Sequence, residues 1–248
     1  MNLPRFYCRE ALAPGAHVDL PAPVARHAVR VLRLPPGAPM ILFDGRGGEY
    51  LAHIQRIERE RVIAELGAWQ DVERESRLSV TLVQAVQAGD KMDFTIQKAV
   101  ELGVKDIVPV DSRRSVTRLS GERAGKRVAH WQGVAAAACE QCGRNQVPNV
   151  APLEKLENWL ARPPAQGLRL MLAPDADASL ASLPPSTHIQ LLIGAEGGLD
   201  PQETIAARQA GFRSIRLGPR ILRTETAALA ALAAIQVLWG DFRENNDV

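Results

Sequence analysis

The first seventy residues carry short apolar runs separated by proline, glycine and aspartate, which is the pattern of short β-strands joined by turns. One helix interrupts this pattern over residues 23–34, where Val24, Ala28, Val31 and Leu32 recur at the spacing of a buried stripe. A hairpin-type turn is expected at Asp44-Gly45. The strands are predicted at 6–9, 17–20, 39–43, 50–57 and 61–66, so this part of the chain is predicted to be a small β-barrel.

From Leu78 onward, apolar runs with the period of a strand alternate with runs that have the period of a helix. The predicted strands are 78–86, 106–110, 168–173, 189–193 and 214–217, and the predicted helices are 91–102, 120–142, 154–161, 201–210 and 225–239. Alternation of this kind predicts an α/β domain with a mainly parallel sheet. The charged segment 71–77 has no apolar periodicity and is the predicted linker, which gives a first domain at 1–70 and a second at 78–248.

The amino-acid composition limits the class of protein but does not indicate a particular function. With 248 residues, 46% of them hydrophobic and 23% charged, the chain matches an ordinary globular protein and excludes collagen-like and largely disordered classes. Three cysteines and a beginning without a secretory or transit pattern indicate a cytoplasmic protein with reduced thiols. The apolar, uncharged stretch 226–240 is too short to span a bilayer, so no membrane segment is expected.

A net charge of +2 does not by itself indicate a nucleic-acid partner, but the basic residues are unevenly distributed. Five arginines and no acid lie between Arg208 and Arg223, and seven basic residues face three acidic ones between Lys105 and Arg127. Within the predicted helix at 23–34, Arg26, Arg30 and Arg33 share a face, for which solvation is the default interpretation and phosphate contact the second.

A strand at 189–193 runs into a loop with three glycines, Gly194, Gly197 and Gly198. Asp200 then stands at an N-cap position and Glu203 where a capping-box acid belongs, so these two are interpreted as caps. The spacing is neither a dinucleotide fingerprint nor a P-loop. A tight turn at a strand end and a loop that lets a ligand approach the backbone are equally good interpretations.

A second strand-end loop follows Ile215 and contains Gly218-Pro219. It leads into a helix with Thr224 as the expected N-cap and Glu225 placed favourably for the helix dipole. Two such loops at the carboxyl edge of one sheet can form one pocket. The helix itself is apolar almost all round, which predicts deep burial or a subunit interface over 227–239.

Other motifs are weak. Cys139 and Cys142 have the spacing of a metal or redox pair, but they lie in a helical pattern and no second pair accompanies them. The five histidines are scattered singly, and the sequence has no GxSxG motif. Neither a metal site nor a hydrolase triad is therefore predicted.

Taken in order, several segments resemble the ribosomal RNA small subunit methyltransferase E family, which methylates N3 of a uridine in 16S rRNA and belongs to the trefoil-knotted SPOUT superfamily. The sequence departs from that family at Ala195, where proline is usual, and at Leu199, where phenylalanine is usual. The segments that carry the resemblance are Pro4-Arg5-Phe6-Tyr7, His27 with Val31-Leu32-Arg33, Phe43-Asp44-Gly45, Gln97-Lys98-Ala99, Glu101-Leu102-Gly103-Val104, Glu140-Gln141 with Arg144, Val147-Pro148, Ile193-Gly194 with Glu196-Gly197-Gly198, and Leu217-Gly218 through Ile221-Leu222-Arg223 to Glu225-Thr226-Ala227.

The resemblance implies a PUA-like β-barrel for substrate RNA, followed by a knotted domain that binds S-adenosylmethionine and needs no metal. It further implies a homodimer acting on 16S rRNA within the small ribosomal subunit. By similarity, the cofactor lies against Leu172, Ala173, Pro174, Gly194, Glu196, Gly197, Gly198, Leu217, Gly218, Ile221, Leu222, Thr226 and Ala227.

Removal of the N3 proton requires a base, and the uridine anion requires a positive partner. Glu196 or Glu225 is the expected base, and Arg144 or Arg223 the expected partner, with Arg223 preferred. The expected RNA contacts are Arg5, Arg26, Arg30, Arg33, Arg113 and Arg114.

Two alternatives remain open on the sequence alone. A SPOUT enzyme acting on another RNA, such as a tRNA ribose methyltransferase, would keep the cofactor loops. A non-catalytic RNA-binding ribosome-assembly factor would have no need of Gly194, Gly197, Gly198 and Gly218, so these glycines favour an enzyme.

Overall fold

The computed structural model describes residues 3–59, 61–163 and 166–242, and the chain divides into two units. The first unit is formed by the chain up to Glu75 together with Cys139–Val147, and the second by Ser76–Ala138 and the chain from Pro148 onward. The division at 75/76 falls inside the segment expected as a linker. The assignment of 139–147 to the first unit has no counterpart in the sequence pattern, where part of this segment continues a helix.

The first unit is a five-stranded mixed sheet with one short helix. Its sheet order is β1-β3-β4-β5-β2; β1 is parallel to β3, and the other pairs are antiparallel. The turn between β3 and β4 contains Gly45 at a φ of +83°, which explains the glycine of the predicted hairpin. The elements are β1 (Arg5–Tyr7), β2 (His17–Asp19), α1 (Ala22–Arg26), β3 (Pro39–Phe43), β4 (Glu49–Glu58) and β5 (Arg61–Gln70).

The predicted helix over 23–34 is only partly correct. Helix α1 continues into a π-helical turn, His27–Val31, and the chain then leaves the helical path at Arg33, which has a φ of 54°. A π turn holds more residues than an α turn, so positions beyond it rotate away from the face set by Val24. Val31 and Leu32 are accordingly 66% and 41% exposed instead of buried.

The predicted linker is held in place within the first unit. The Asn145 side-chain amide donates to the Val72 carbonyl at 2.6 Å, and the Gln146 amide donates to the Glu73 carboxylate at 2.8 Å. The Arg144 guanidinium binds the Glu75 carboxylate. The charged residues of the predicted linker therefore bind residues of 139–147.

The second unit is built on a parallel sheet of seven strands. Its order is β12-β10-β11-β6-β7-β8, with β9 paired to β7, and every described pair is parallel. The strands are β6 (Ser79–Ala85), β7 (Asp106–Asp111), β8 (Asn149–Val150), β9 (Glu154–Lys155), β10 (Leu168–Leu172), β11 (His188–Ile193) and β12 (Arg213–Ile215). The helices are α2 (Lys91–Glu101), α3 (Gly121–Cys142), α4 (Leu156–Leu160), α5 (Pro201–Gln209) and α6 (Thr224–Trp239), with a 3-10 turn at Leu180–Ser182.

Helices cover the sheet because its central strands are apolar on both faces. Trp159 of α4 and Ala207 of α5 share a core cluster with Met171 and Leu192 of the sheet. Helix α6 packs against α2 and buries Ala228, among other residues. The helix predicted from residue 154 begins only at Leu156, because Glu154–Lys155 first pairs with β7. Within the described part of the chain, no helix is long and apolar enough to cross a membrane.

Candidate functional site

A cavity of about 690 Å³ opens at the carboxyl ends of β10, β11 and β12. It is lined by the loops that follow these strands, 172–175, 193–199 and 215–222, together with residues of α5 and the start of α6. Parallel neighbouring strands end at the same edge of a sheet, so loops that are distant in sequence meet there. The two glycine-bearing loops therefore form one pocket, as the sequence predicted.

Most of the residues expected to contact a cofactor line this cavity. Gly218 and Thr226 lie instead in an adjoining groove beside α6. The expected residues that do line the cavity are Leu172, Ala173, Pro174, Gly194, Glu196, Gly197, Gly198, Leu217, Ile221, Leu222 and Ala227.

The glycines of the 194–198 loop serve different purposes. A Cβ on Gly194 would lie 2.7 Å from the Gly198 carbonyl carbon, so the loop can close on itself only with glycine there. Gly198 has a φ of +72°, a left-handed conformation that favours glycine. A Cβ on Gly197 would meet only the Arg114 side chain, at 3.4 Å or more. Gly197 is therefore the position where a side chain would fill the cavity without distorting the loop.

The two departures from the family pattern fit the loop. Ala195 is buried, and its carbonyl accepts a hydrogen bond from the Gly198 N–H at 2.8 Å, closing a tight turn. Leu199 packs against the core cluster that contains Trp159 and Phe212. The smaller residues thus occupy the positions of the usual proline and phenylalanine without opening a polar gap.

The helix after this loop begins with the predicted capping box. The Asp200 carboxylate accepts from the Gln202 N–H at 2.9 Å, and the Glu203 carboxylate accepts from the Asp200 N–H at 2.9 Å. Glu203 is 2% exposed and also accepts from the Arg113 N–H at 2.8 Å. Both acids are caps, as expected.

Thr224 does not cap α6 as the sequence predicted, because the N-cap residue is Arg223. The Thr224 hydroxyl instead donates to the Gly194 carbonyl at 2.6 Å and accepts from the Gln84 amide at 3.2 Å. Gln84 is fully buried in β6. The start of α6 is therefore tied to the glycine loop and to the central strand, an arrangement that no local sequence pattern could predict.

Glu225 has one carboxylate oxygen that is buried and has no hydrogen-bond partner among the described residues. Its backbone N–H lies 3.2 Å from the Gln87 side-chain oxygen when that amide is oriented to satisfy both of its atoms. In this orientation the Gln87 nitrogen donates to Thr95 at 2.9 Å. Glu225 stands beside the cavity and does not line it.

Glu196 lines the cavity and is already engaged. Its carboxylate accepts from the Ala88 N–H at 3.0 Å and from the Lys91 ammonium at 3.5 Å. Partial burial opposes ionisation, but the hydrogen bond and the positive charge outweigh it, so the pKa of Glu196 is lowered. The group is thus an ionised carboxylate and a weakened base.

The two arginines considered for catalysis lie in different surroundings. Arg223 is exposed between the cavity-lining residues Leu222 and Thr224. Arg144 belongs to the first unit, is 5% exposed and holds Glu75 with its Nε 3.0 Å from both carboxylate oxygens. Arg144 therefore has a structural partner, and the described residues around the cavity do not include it.

The arginines expected to contact RNA also divide into groups. Arg5 is not a surface residue: its guanidinium binds Glu49 and Asn145, each at 2.5 Å, and its side chain is 13% exposed. Arg113 binds Glu157 at 2.7 Å, and these hydrogen bonds raise its pKa. Arg114 lines the cavity and donates to the Gly197 carbonyl at 2.8 Å.

Arg26, Arg30 and Arg33 are exposed on the first unit, next to the exposed Val31 and Leu32. The exposed aliphatic side chains and the arginines belong to the same short segment of the chain. The surface at 26–33 is therefore both basic and apolar.

Sequence reasoning did not assign several residues that line the cavity. Arg208, Arg216 and Arg220 stand at its edge, and Asp175 follows β10 on the same side. The acid-free run of arginines from 208 to 223 was the available signal for the first three. Among the described residues, no group of three or more histidine, cysteine or acidic side chains could hold a metal ion.

Two family models match the chain. One, described as an RNA methyltransferase domain, matches residues 74–236, and the other, described as an RNA methyltransferase PUA domain, matches residues 20–67. The first match covers most of the parallel-sheet unit together with 139–147 of the mixed-sheet unit, and the second lies within the mixed-sheet unit.

The chain is similar over its full length to proteins named ribosomal RNA small subunit methyltransferase E. That of Buchnera aphidicola from Schizaphis graminum is 32% identical over 241 residues, covering 97% of this chain and 98% of the relative. A crystal structure of the Neisseria gonorrhoeae protein bound to S-adenosyl methionine is 46% identical, with a TM-score of 0.93 and coverage of 98% and 100%. A putative methyltransferase of Legionella pneumophila in complex with the same cofactor is 34% identical, with a TM-score of 0.93 and coverage of 97% and 100%.

Proposed function

Because the chain belongs to the ribosomal RNA small subunit methyltransferase E family, we propose that it transfers a methyl group from S-adenosylmethionine to N3 of a uridine in 16S rRNA. We propose the RNA of the small ribosomal subunit as the substrate and, with it, a cytoplasmic location for the enzyme. The observation that carries the proposal is the cavity formed by the very loops that the resemblance assigns to the cofactor.

The residues of the cavity suit a nucleoside cofactor. A volume of about 690 Å³ lies within the roughly 300–1,000 Å³ of small-ligand sites. Ile193, Ile215 and Leu222 supply apolar walls for an adenine ring, and the backbone of Gly197 is open to the cavity. When bound, the cofactor supplies a methyl group already activated by a positive sulfur, so no metal is required.

The chain's own residues have to hold the uracil and accept its N3 proton. Of the four candidates, Glu196 alone lines the cavity, where it is ionised, and Glu225 has a buried oxygen without a described partner. Arg223 is exposed beside the cavity and can stabilise the negative charge that develops on the uracil oxygens. We propose Arg223 as the partner of the uridine anion and Glu196 or Glu225 as the proton acceptor.

We propose that the surface formed by Arg26, Arg30, Val31, Leu32 and Arg33 contacts the RNA substrate. Arginines bind phosphates, and exposed aliphatic side chains beside them offer contacts to sugars and unstacked bases. Arg5 and Arg113 have partners within the protein, so we do not propose them as RNA contacts.

We propose a homodimer that uses the outer face of α6. Ala230, Ala234 and Leu238 of this helix line a groove that Leu180 also borders, and Val237 beside them is 54% exposed. Arg216 and Arg220 line both this groove and the cavity, and the interface that we propose is formed by the α6 side chains, not by these arginines. Apolar side chains gathered on an outer helix face are typical of subunit interfaces.

The test is to incubate the purified protein with S-adenosylmethionine and small ribosomal subunits that lack the modification, and then to map methylated nucleosides by mass spectrometry. We expect N3-methyluridine at one position of 16S rRNA. The Gly197→Val variant serves as the control, because it fills the cavity at a position without backbone strain.

Other results would replace the proposal with a defined alternative. A methyl group on ribose or on carbon 5 would overturn the reaction, and methylation of transfer RNA instead of 16S rRNA would overturn the substrate. Tight binding of the subunit without any methylation would indicate an assembly factor.

A further inference from the structure

Three arginines form a positive rim at the mouth of the cavity. Arg208 projects from α5, and Arg216 and Arg220 lie in the loop after β12. All three are exposed, and no described carboxylate oxygen lies within 4.0 Å of their guanidinium nitrogens. The one described side-chain hydrogen bond of Arg208 runs to the uncharged Ser214 hydroxyl at 3.4 Å. We call these three residues the arginine rim.

Several arginines elsewhere in the second unit are paired with acids. Arg113 pairs with Glu157 at 2.7 Å, Arg127 with Asp93 at 3.4 Å, and Arg162 with Glu154 at 2.9 Å. The rim differs from these pairs because no described acid neutralises it, and it differs from the exposed Arg123 and Arg213, which also lack an acid partner, because it lines the cavity.

The cavity itself does not supply the missing negative charge. Four arginines line it, the rim and Arg114, against two acids, Asp175 and Glu196. The Glu196 carboxylate is already bound to the Lys91 ammonium at 3.5 Å. The site thus holds an excess of positive charge where a ligand enters.

This charge does not suit the cofactor. S-adenosylmethionine carries a sulfonium, an ammonium and a single carboxylate, so it is a net cation, whereas the demethylated product S-adenosylhomocysteine is net neutral. Like charges repel, so the rim weakens binding of the cofactor more than binding of the product. The rim matches an anion that must lie at the mouth of the cavity.

We propose that Arg208, Arg216 and Arg220 bind the phosphates of the RNA strand next to the target nucleotide, and that this contact raises the affinity for S-adenosylmethionine. The inference rests on the proposed function, because it takes RNA as the substrate. Phosphates on the rim cancel its charge, so bound RNA removes the repulsion that the cofactor otherwise experiences. By linkage, the cofactor must strengthen RNA binding by the same factor.

The experiment compares the triple variant R208Q/R216Q/R220Q with a matched control, R77Q/R123Q/R213Q. The control removes three exposed arginines of the same unit that do not line the cavity. For each protein, calorimetry measures the affinity for S-adenosylmethionine and for S-adenosylhomocysteine without RNA. Binding to small ribosomal subunits and to deproteinised 16S rRNA is measured over a range of salt concentrations.

We expect the rim variant to bind RNA more weakly, with the slope of log affinity against log salt reduced by about 2, since each single-strand phosphate contact contributes roughly 0.7. Without RNA, the same variant should bind S-adenosylmethionine about threefold more tightly and S-adenosylhomocysteine with unchanged affinity. The control variant should bind S-adenosylmethionine and S-adenosylhomocysteine with the affinities of the wild type. Its RNA affinity and its slope of log affinity against log salt should decrease less than those of the rim variant.

Three results would overturn the proposal. Weaker binding of S-adenosylmethionine to the rim variant would show that the arginines hold the cofactor carboxylate. An unchanged salt slope would show that they do not contact phosphates. A molar mass of the rim variant that differs from the wild type in light scattering would assign Arg216 and Arg220, which also line the groove beside α6, to the subunit interface.

Failure of the proposed function would look different. In that case the wild-type protein would form no N3-methyluridine. The proposal about the arginine rim is tested by differences in binding between the wild type and the variant, which do not require turnover.

Discussion

At the scale of single residues, Arg144 shows how surroundings decide what a side chain does. Burial favours the neutral form of the guanidinium, but the hydrogen bonds and negative charge of Glu75 outweigh burial and raise its pKa. The pair is 6% and 17% exposed and joins 139–147 to the chain before β6. A residue that sequence similarity offered for catalysis is thus part of the framework of the first unit.

We therefore predict that Arg144→Ala lowers the free energy of unfolding by about 3 kcal/mol, because it leaves Glu75 as an uncompensated, largely buried charge. Urea denaturation followed by circular dichroism measures the change. Arg61→Ala is the control: its pair with Asp19 is exposed, at 58% and 48%, and should contribute less than about 1 kcal/mol. Wild-type stability together with lost methyl transfer in Arg144→Ala would return this residue to the catalytic candidates.

The three cysteines also differ only in their surroundings. Burial is the main cause that raises the pKa of Cys8 and of Cys139 to about 12, so both thiols stay protonated at neutral pH. Cys142 is only partly buried.

We predict that iodoacetamide at pH 8 labels Cys142 alone in the native protein and all three cysteines in denaturant. Intact-mass spectrometry counts the attached groups. Rapid native labelling of Cys8 or Cys139 would contradict the burial described here, and a Cys142→Ser variant, which should take up no label, is the control.

At the scale of elements, the sequence predicted the longer strands and helices, which depend on local sequence patterns. Every strand of five residues or more and every helix of eight residues or more has a counterpart, since period and turn residues specify these locally. The π-helical turn at His27–Val31 was missed because no residue type marks it. The role of Thr224 was missed because its partners, Gly194 and Gln84, are 30 and 140 positions away in the chain.

The contact between α6 and the glycine loop leads to a prediction at the scale of elements. Thr224→Val keeps the shape and the β-branch but leaves the Gly194 carbonyl and the Gln84 amide without their hydroxyl partner. An unsatisfied buried group costs about 1–3 kcal/mol, so we expect lower stability and weaker binding of S-adenosylmethionine. Thermal denaturation and calorimetry measure the two effects.

Thr224→Ser is the matched control for this prediction, because it retains the hydroxyl. Its cofactor affinity should stay within about twofold of the wild type, allowing for the lost methyl group. Equal affinities in the Val and Ser variants would show that the hydroxyl does not position the loop.

At the scale of the whole molecule, the distribution of charge and the path of the chain could not be predicted from local sequence patterns. A net charge of +2 conceals the contrast between arginines paired to acids and the arginine rim, which appears only when distant loops meet. A knotted path could not be derived from the residues at all, because chains almost never thread their own loops. That expectation came entirely from the family resemblance.

The apolar face of α6 supports the last prediction, that the protein is a homodimer in solution. A stable pair buries at least about 1,200 Å² in total, and the face carrying Ala230, Ala234 and Val237 is the apolar surface proposed for it. We expect light scattering at micromolar concentration to give twice the 27.0 kDa of the chain. Ala234→Arg should produce a monomer, because it places a charge in the interface. Val116→Arg, at an unrelated site that is 75% exposed, should remain dimeric. A wild-type species of 27.0 kDa, or an Ala234→Arg variant that stays dimeric, would assign the exposed apolar residues of α6 to another role.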